Sequence, residues 1–206
     1  MADLIAGSGK LVFLDNNGDS AGDMVGGYPP LVYYKARKTT TQTIADGGEE
    51  YISFQTTDFD THSGRKNSYY YEIKQDGLYR VSTQVTAEAA YIRDYIMGLL
   101  LSTDSGTISG EDTDAGTWTA IDTTGERYYG GDNRPDDHQG GTLKLSSTHS
   151  LSVGDRLAIR VMINTVTATT ATIQTNVATI PGLAVDFARD GYLTWFEILK
   201  VGSTPS

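Results

Sequence analysis

Between Leu78 and Glu88 the chain alternates residue by residue. Tyr79, Val81, Thr83, Val85 and Ala87 fall on one side of an extended backbone, and Arg80, Ser82, Gln84, Thr86 and Glu88 on the other. A period of two marks a strand in a sheet with one buried face. A helix would instead repeat its buried stripe every ~3.6 residues. The alternation returns at 156–164, where Leu157, Ile159, Val161 and Ile163 share a face, and more weakly at Ala171, Ile173, Thr175 and Val177 within the Thr-rich run 165–179. Tyr95 to Leu101 is continuously apolar, which predicts a strand in the sandwich interior. Tyr192 to Val201 is apolar on both faces, as a central strand is. Helix signals are scarce. The best stretch, Ala87 to Tyr95, is short and its flanks read as strands.

Turn chemistry separates these runs. Gln75-Asp76-Gly77 and Ser152-Val153-Gly154-Asp155 join strands, and 23 glycines punctuate the whole chain. Residues 102–140 carry most of the loop character, interrupted by a short strand around Trp118 to Asp122. About eight strands in this pattern predict an all-β, antiparallel jelly-roll sandwich. The first forty residues differ. Short apolar pieces (Leu11 to Leu14, Leu31 to Tyr34) alternate with Gly-rich loops, and Pro29-Pro30 holds its neighbours extended. Two parts are therefore expected: an extended N-terminal arm over residues 1–40, which docks on a neighbouring subunit or partner protein, and a jelly-roll domain over residues 41–206.

Several function classes fall away. With no cysteine, the chain has neither disulfides nor thiolate metal sites. A formal net charge of -10 repels phosphate backbones, and the candidate basic run, Lys35, Arg37 and Lys38, holds three charges, so no nucleic-acid partner is expected. The N-terminus lacks the pattern of a signal peptide. The longest apolar stretch, Ile96 to Leu101, is too short to span a bilayer, so no membrane partner is expected either. His62, His138 and His149 sit among polar loop residues and read as solvated. Gly7-Ser8-Gly9-Lys10 departs from the phosphate-loop frame, because Leu11 follows Lys10 and no strand is expected before it. No catalytic residue is assigned, and the chain reads as a structural or binding module rather than an enzyme.

Two kinds of site remain as candidates. Asp15, Asn17 and Asp19 alternate in one turn, and Glu111, Asp112 and Asp114 cluster in another. Alternating oxygens of this kind can supply part of a calcium shell, and the same residue types are ordinary turn formers. Calcium is the one cofactor this pattern brings forward. Trp118 with Arg127, Tyr128 and Tyr129 is a candidate ligand-contact loop, a stacking platform for a host glycan.

Three stretches resemble the tumour necrosis factor and complement globular-head family of jelly rolls. Asp76-Gly77-Leu78-Tyr79-Arg80-Val81 resembles the family's strand start after glycine. Leu151-Ser152-Val153-Gly154-Asp155-Arg156-Leu157 is similar to its Gly-Asp turn and following strand. Gly191-Tyr192-Leu193-Thr194-Trp195-Phe196-Glu197-Ile198 is similar to its aromatic last strand. The likeness covers roughly residues 45–201; it departs in the opening of the last strand and in the long 102–140 region. It implies a compact homotrimer whose axis collects aromatic residues, with Tyr79, Tyr192, Trp195 and Phe196 as candidate interface positions. Jelly rolls with a leading arm and no cysteines also resemble tailed-bacteriophage capsid decoration proteins and fibre heads. By that analogy the chain is a virion protein, assembled in the host cytoplasm onto a capsid or tail protein of the same particle.

Overall fold

The computed structural model describes residues 4–7, 10–13, 32–89, 92–104, 107–108, 114–115, 117–127, 140–166, 168–175 and 193–203. Among them every regular element is a strand. In chain order these are β1 (Leu4–Gly7), β2 (Lys10–Phe13), β3 (Tyr33–Arg37), β4 (Gln42–Ala45), β5 (Gly48–Tyr51), β6 (Thr56–Asp60), β7 (Tyr70–Glu72) and β8 (Gly77–Glu88). There follow β9 (Ile92–Ser102), β10 (Thr107–Ile108), β11 (Asp114–Ala115), β12 (Thr119–Arg127), β13 (Gly140–Leu151), β14 (Arg156–Thr165), β15 (Thr170–Ile173) and β16 (Trp195–Gly202). The expected helical stretch at Ala87 to Tyr95 is instead the end of β8 and the start of β9. The short strand expected near Trp118 runs on to Arg127, with an irregularity at Ala120/Asp122.

The chain divides between Leu31 and Val32. In the first unit β1 and β2 form an antiparallel hairpin that pairs Leu4 with Phe13 and Gly7 with Lys10. Contrary to expectation a strand does lead into Gly7-Ser8-Gly9-Lys10, but Lys10 opens a second strand and not the helix a phosphate loop requires. The second unit is the jelly roll, and it begins earlier than residue 41. Tyr33–Arg37 alternates so that Tyr34 and Ala36 are buried, and β3 pairs with β16 inside the main sheet.

Two antiparallel sheets make up the jelly roll. In the seven-stranded sheet β8 pairs with β13 along one edge; its other edge is shared by β16 and then β15, and the sheet continues from β16 to β3 and β6 and from β15 to β4. The five-stranded sheet runs β12-β9-β14, and β5 and β7 take successive parts of the far edge of β14. As expected, β9 and β16 are central strands, and the alternating residues of β8 and β14 fill the core: Tyr79, Val81, Val85, Leu157, Ile159, Val161 and Ile163 are all buried between the sheets. Each such side chain contributes about 1.5–3 kcal/mol on leaving water. At the turn after β13, Gly154 has φ 95 and Asp155 accepts from the Ser152 amide at 2.8 Å.

Tyr79 and Phe196, expected at a subunit interface, lie in this core. Tyr79 is 0% exposed, because its parity on β8 matches that of Val81 and Val85, and its hydroxyl donates to the Gln75 carbonyl at 2.6 Å. Burial, and then the Asp76 charge, push its phenol to about 12. Phe196 packs against Phe54 at 5.6 Å and Tyr34 at 5.9 Å. Neither has surface to offer a second chain.

Candidate functional site

A sandwich has two outward faces, and here they differ. On the seven-stranded sheet the residues that alternate with the core point away from it. Tyr33 lies opposite Leu199, Lys35 opposite Glu197 and Arg37 opposite Trp195. Those three β16 residues lie opposite Arg80, Ser82 and Gln84 of β8. Phe59, on the outer strand β6, is 55% exposed and stacks on Tyr33 at 5.3 Å. Toward β13 the face becomes a hydroxyl ladder, with Ser82 to Ser146 at 2.9 Å and Thr86 to Thr142 at 2.8 Å. Half-polar aromatics beside small hydroxyls are the chemistry of a protein contact surface rather than of a reaction centre.

Part of the outward side of the five-stranded sheet is covered by its own chain. Tyr51, Tyr70, Leu100 and Ala158 stand on it, and Ile108 packs onto them at 1% exposure. Trp118 joins the same cluster, its ring 6.0 Å from both Tyr51 and Tyr70. The covering segment is tied down at two places. Asn67 Nδ2 donates to the Ile108 carbonyl at 2.5 Å, and Asp104 accepts from the Thr117 amide at 3.1 Å and from Ser102 Oγ at 2.6 Å.

Two carboxylates anchor the ends of this face. Glu72 receives Arg156 Nη2 at 2.9 Å, Lys66 Nζ at 3.1 Å and Lys74 Nζ at 2.5 Å. Burial works to raise its carboxyl, and the bonds from Lys74, Lys66 and Arg156 outweigh it, leaving the group at about 2. Asp94 receives Arg127 Nε at 2.5 Å, Asn164 Nδ2 at 3.0 Å and Arg93 Nε at 3.0 Å. The Arg127 bond first, then that of Asn164, hold Asp94 at about 2. Alternation placed Arg156 outward; nothing local in the sequence marked Glu72 as its partner, or Asp94 as the partner of Arg127.

Of the candidate contact residues, Trp118 is packed under the segment and not displayed as a platform. Arg127 ends β12 and faces Asp94, while Tyr128 and Tyr129 lie outside the described residues. Trp195 is on the outward face of the seven-stranded sheet, and Tyr192 lies outside the described residues. The calcium candidates Asp15, Asn17, Asp19, Glu111 and Asp112 also lie outside them. Asp114 pairs with Ile108 in the β10-β11 ladder, and its side chain is not among those described. Among the described residues no three carboxylates or histidines form a metal-binding group. Ser20 stands in a Gly18-Asp19-Ser20-Ala21-Gly22 frame of the kind that can carry an ester-cleaving nucleophile, which needs a strand-turn-helix setting; it too lies outside the described residues.

The basic run does not form a patch. Lys38 is 0% exposed, and its ammonium donates to Gln42 Oε1 at 2.9 Å, Ser53 Oγ at 3.0 Å and the Ser53 carbonyl at 3.1 Å. Arg37 Nε pairs with Asp58 at 3.1 Å. Among the described residues no helix is long and apolar enough to cross a membrane.

No protein-family model and no curated protein sequence matches the chain. Solved structures do match it. Eiger TNF from S. frugiperda superposes with TM-score 0.56 at 13% identity, over 86% of this chain and 97% of that one. Murine APRIL superposes with TM-score 0.50 at 8% identity, over 82% of this chain and 98% of that one. The fold is the tumour necrosis factor-like jelly roll, as the three sequence stretches implied. At such identities the likeness fixes architecture, and function has to be argued from the surfaces.

Proposed function

We propose that this protein is a non-enzymatic assembly module: a homotrimeric jelly-roll head that decorates a capsid or caps a fibre in a virion. In this reading its N-terminal arm holds it to a capsid or tail protein of the same particle. The observation that carries the reading is the outward face of the seven-stranded sheet, where Tyr33, Phe59, Trp195 and Leu199 stand among short polar residues. A closed three-fold ring joins two different patches of each chain. The second patch in this reading is the side formed by β12 and β13. Among the described residues β12 pairs with β9 alone and β13 with β8 alone, so each has a second edge to cover.

The virion setting is supported by the leading segment, the Gly-, Thr- and Tyr-rich composition and the missing cysteines. Light scattering on the purified full chain tests the assembly. A mass near three times 22.3 kDa supports it, and a monomer at micromolar concentration removes it. For the arm, a truncated chain beginning at Val32 is expected to trimerise but to lose particle attachment; normal attachment would show that the arm is not the anchor. A second reading, a carbohydrate- or receptor-binding module, is favoured by the aromatic cluster around Trp118 and its flanking arginines.

A further inference from the structure

The stretch from 102 to 140 holds nine carboxylates against two arginines, Arg127 and Arg134, and so supplies most of the chain's net charge of -10. Strand β12 brings part of that charge to the flank of the sandwich. Asp122 lies opposite Leu99 and Glu126 opposite Tyr95, two core residues of β9, so both carboxylates stand on the inward side of β12. Because β12 is the edge strand of its sheet, that side opens at the rim, next to β13. Asp122 is half-buried there and Glu126 is exposed.

The outward face of the seven-stranded sheet has the opposite need. Its four strands β3, β16, β8 and β13 hold two carboxylates, Glu197 and Glu88. The Tyr33 hydroxyl bonds to Glu197, and Glu88 stands at the far end of β8, where Gln174 donates to it at 2.7 Å. Arg37 is matched by Asp58 of β6. Arg80 and Lys35 form no ion pair among the described residues. Arg80 is exposed, and its cross-strand neighbours, Leu199 on β16 and Thr148 on β13, carry no charge. Subunit contact over Leu199 takes Arg80 out of water with it, and a desolvated cation is costly unless a carboxylate meets it.

We propose that neighbouring subunits select each other by charge, Arg80 and Lys35 on the face of one meeting the Asp122 and Glu126 flank of the next. The occupant of the open face is thus a second copy of this chain. This rests on the trimer reading above and adds to it the groups that set the mode of contact. Two faces pressed together would set Arg80 against Arg80, and two flanks would set carboxylate against carboxylate; like charges across a contact are strongly unfavourable. Face against flank is the pairing that remains, and a contact between two different patches is the kind that closes a ring.

The test is light scattering on a dilution series of the full chain, which gives the concentration at which the trimer is half dissociated. At roughly 0.05 M salt, Arg80→Glu and Asp122→Lys are each expected to raise that concentration by about tenfold. The double variant carries both reversed charges on every subunit and is expected to return to within about threefold of wild type. At about 1 M salt the single variants and wild type are expected to converge. Should Arg80→Glu not fold, Lys35→Glu takes its place on the same face. Normal assembly of the single variants at low salt overturns the proposal and hands these cations to an acidic partner other than this chain. A double variant no better than the singles overturns it as well. In both cases wild type remains a trimer, whereas a monomeric wild type removes the trimer reading itself, so the two failures are distinct.

Discussion

The two outward faces of the sandwich solve the same problem differently. Both sheets turn one face to the shared core and must do something with the other. On the five-stranded sheet, Leu100 and Ala158 are as apolar as core residues, and the chain folds its own Ile108 and Trp118 back over them. On the seven-stranded sheet, the corresponding positions are hydroxyls, charges and half-polar rings, and Phe59 stays open to solvent. The part of a face that a chain covers itself can be apolar, since it is kept from water in the folded monomer. A face left for assembly has to tolerate water first, and so mixes Tyr, Trp and Ser.

The largest expected effect separates assembly from folding. Leu199→Lys puts a charge in the middle of the open face and is expected to reduce the light-scattering mass from trimer to monomer without unfolding the chain. An unchanged mass would move the contact surface elsewhere. Next in size, Ile108→Ala removes the residue that seals the covered face and is expected to cost about 2–4 kcal/mol in urea denaturation. Phe59→Ala on the open face, measured in the dissociated monomer, is expected to stay within about 0.5 kcal/mol. If the two substitutions cost the same, the contrast between the faces is not real.

Acid sharpens the comparison further, because both strongly lowered carboxylates belong to the covered face. A carboxyl held below its unfolded value adds stability that is complete above that value and is lost as pH falls toward the folded one. For Glu72 that window runs from the ordinary 4.5 down to about 2, and Asp94 follows the same course from 3.8 to about 2. The denaturation midpoint of wild type is therefore expected to fall across this range, and Glu72→Gln is expected to flatten the fall. A midpoint that is constant down to pH about 2 would mean that these ion pairs contribute nothing. The smallest effect belongs to neither face. The Tyr71 hydroxyl is buried in the core without a hydrogen-bond partner, so Tyr71→Phe is expected to be neutral or slightly stabilising in the same assay.

Much of the framework was legible beforehand. The alternation in β8 and β14 named their buried residues, and the doubly apolar runs in β9 and β16 identified central strands. The extent of the jelly roll was harder to read. Tyr33–Arg37 looked like part of a loose arm, because five residues beside Pro29-Pro30 carry too little pattern to reveal a sheet partner some 160 residues away in sequence. Tyr79 and Phe196 were expected at an interface because aromatic residues favour both cores and contacts. Their parity on the strands, Tyr79 with Val81 and Phe196 with Ile198, sends both inward.

Sequence by itself determined the class of fold, since a period of two over several strands has no other use for its apolar side. It also settled the absence of disulfides and the acidic balance. Only the tertiary structure decided which second faces are covered and by what. Strand alternation sorts residues into two sides, but it carries no record of what lies across from each side. Ile108 and Trp118 come from a stretch with no regular pattern, yet they close the five-stranded face. Lys38, read as surface charge, is buried because Gln42, four residues on, and Ser53, fifteen residues on, surround its ammonium with acceptors. Which way the chain turns to bring these acceptors together is tertiary geometry that strand alternation does not encode.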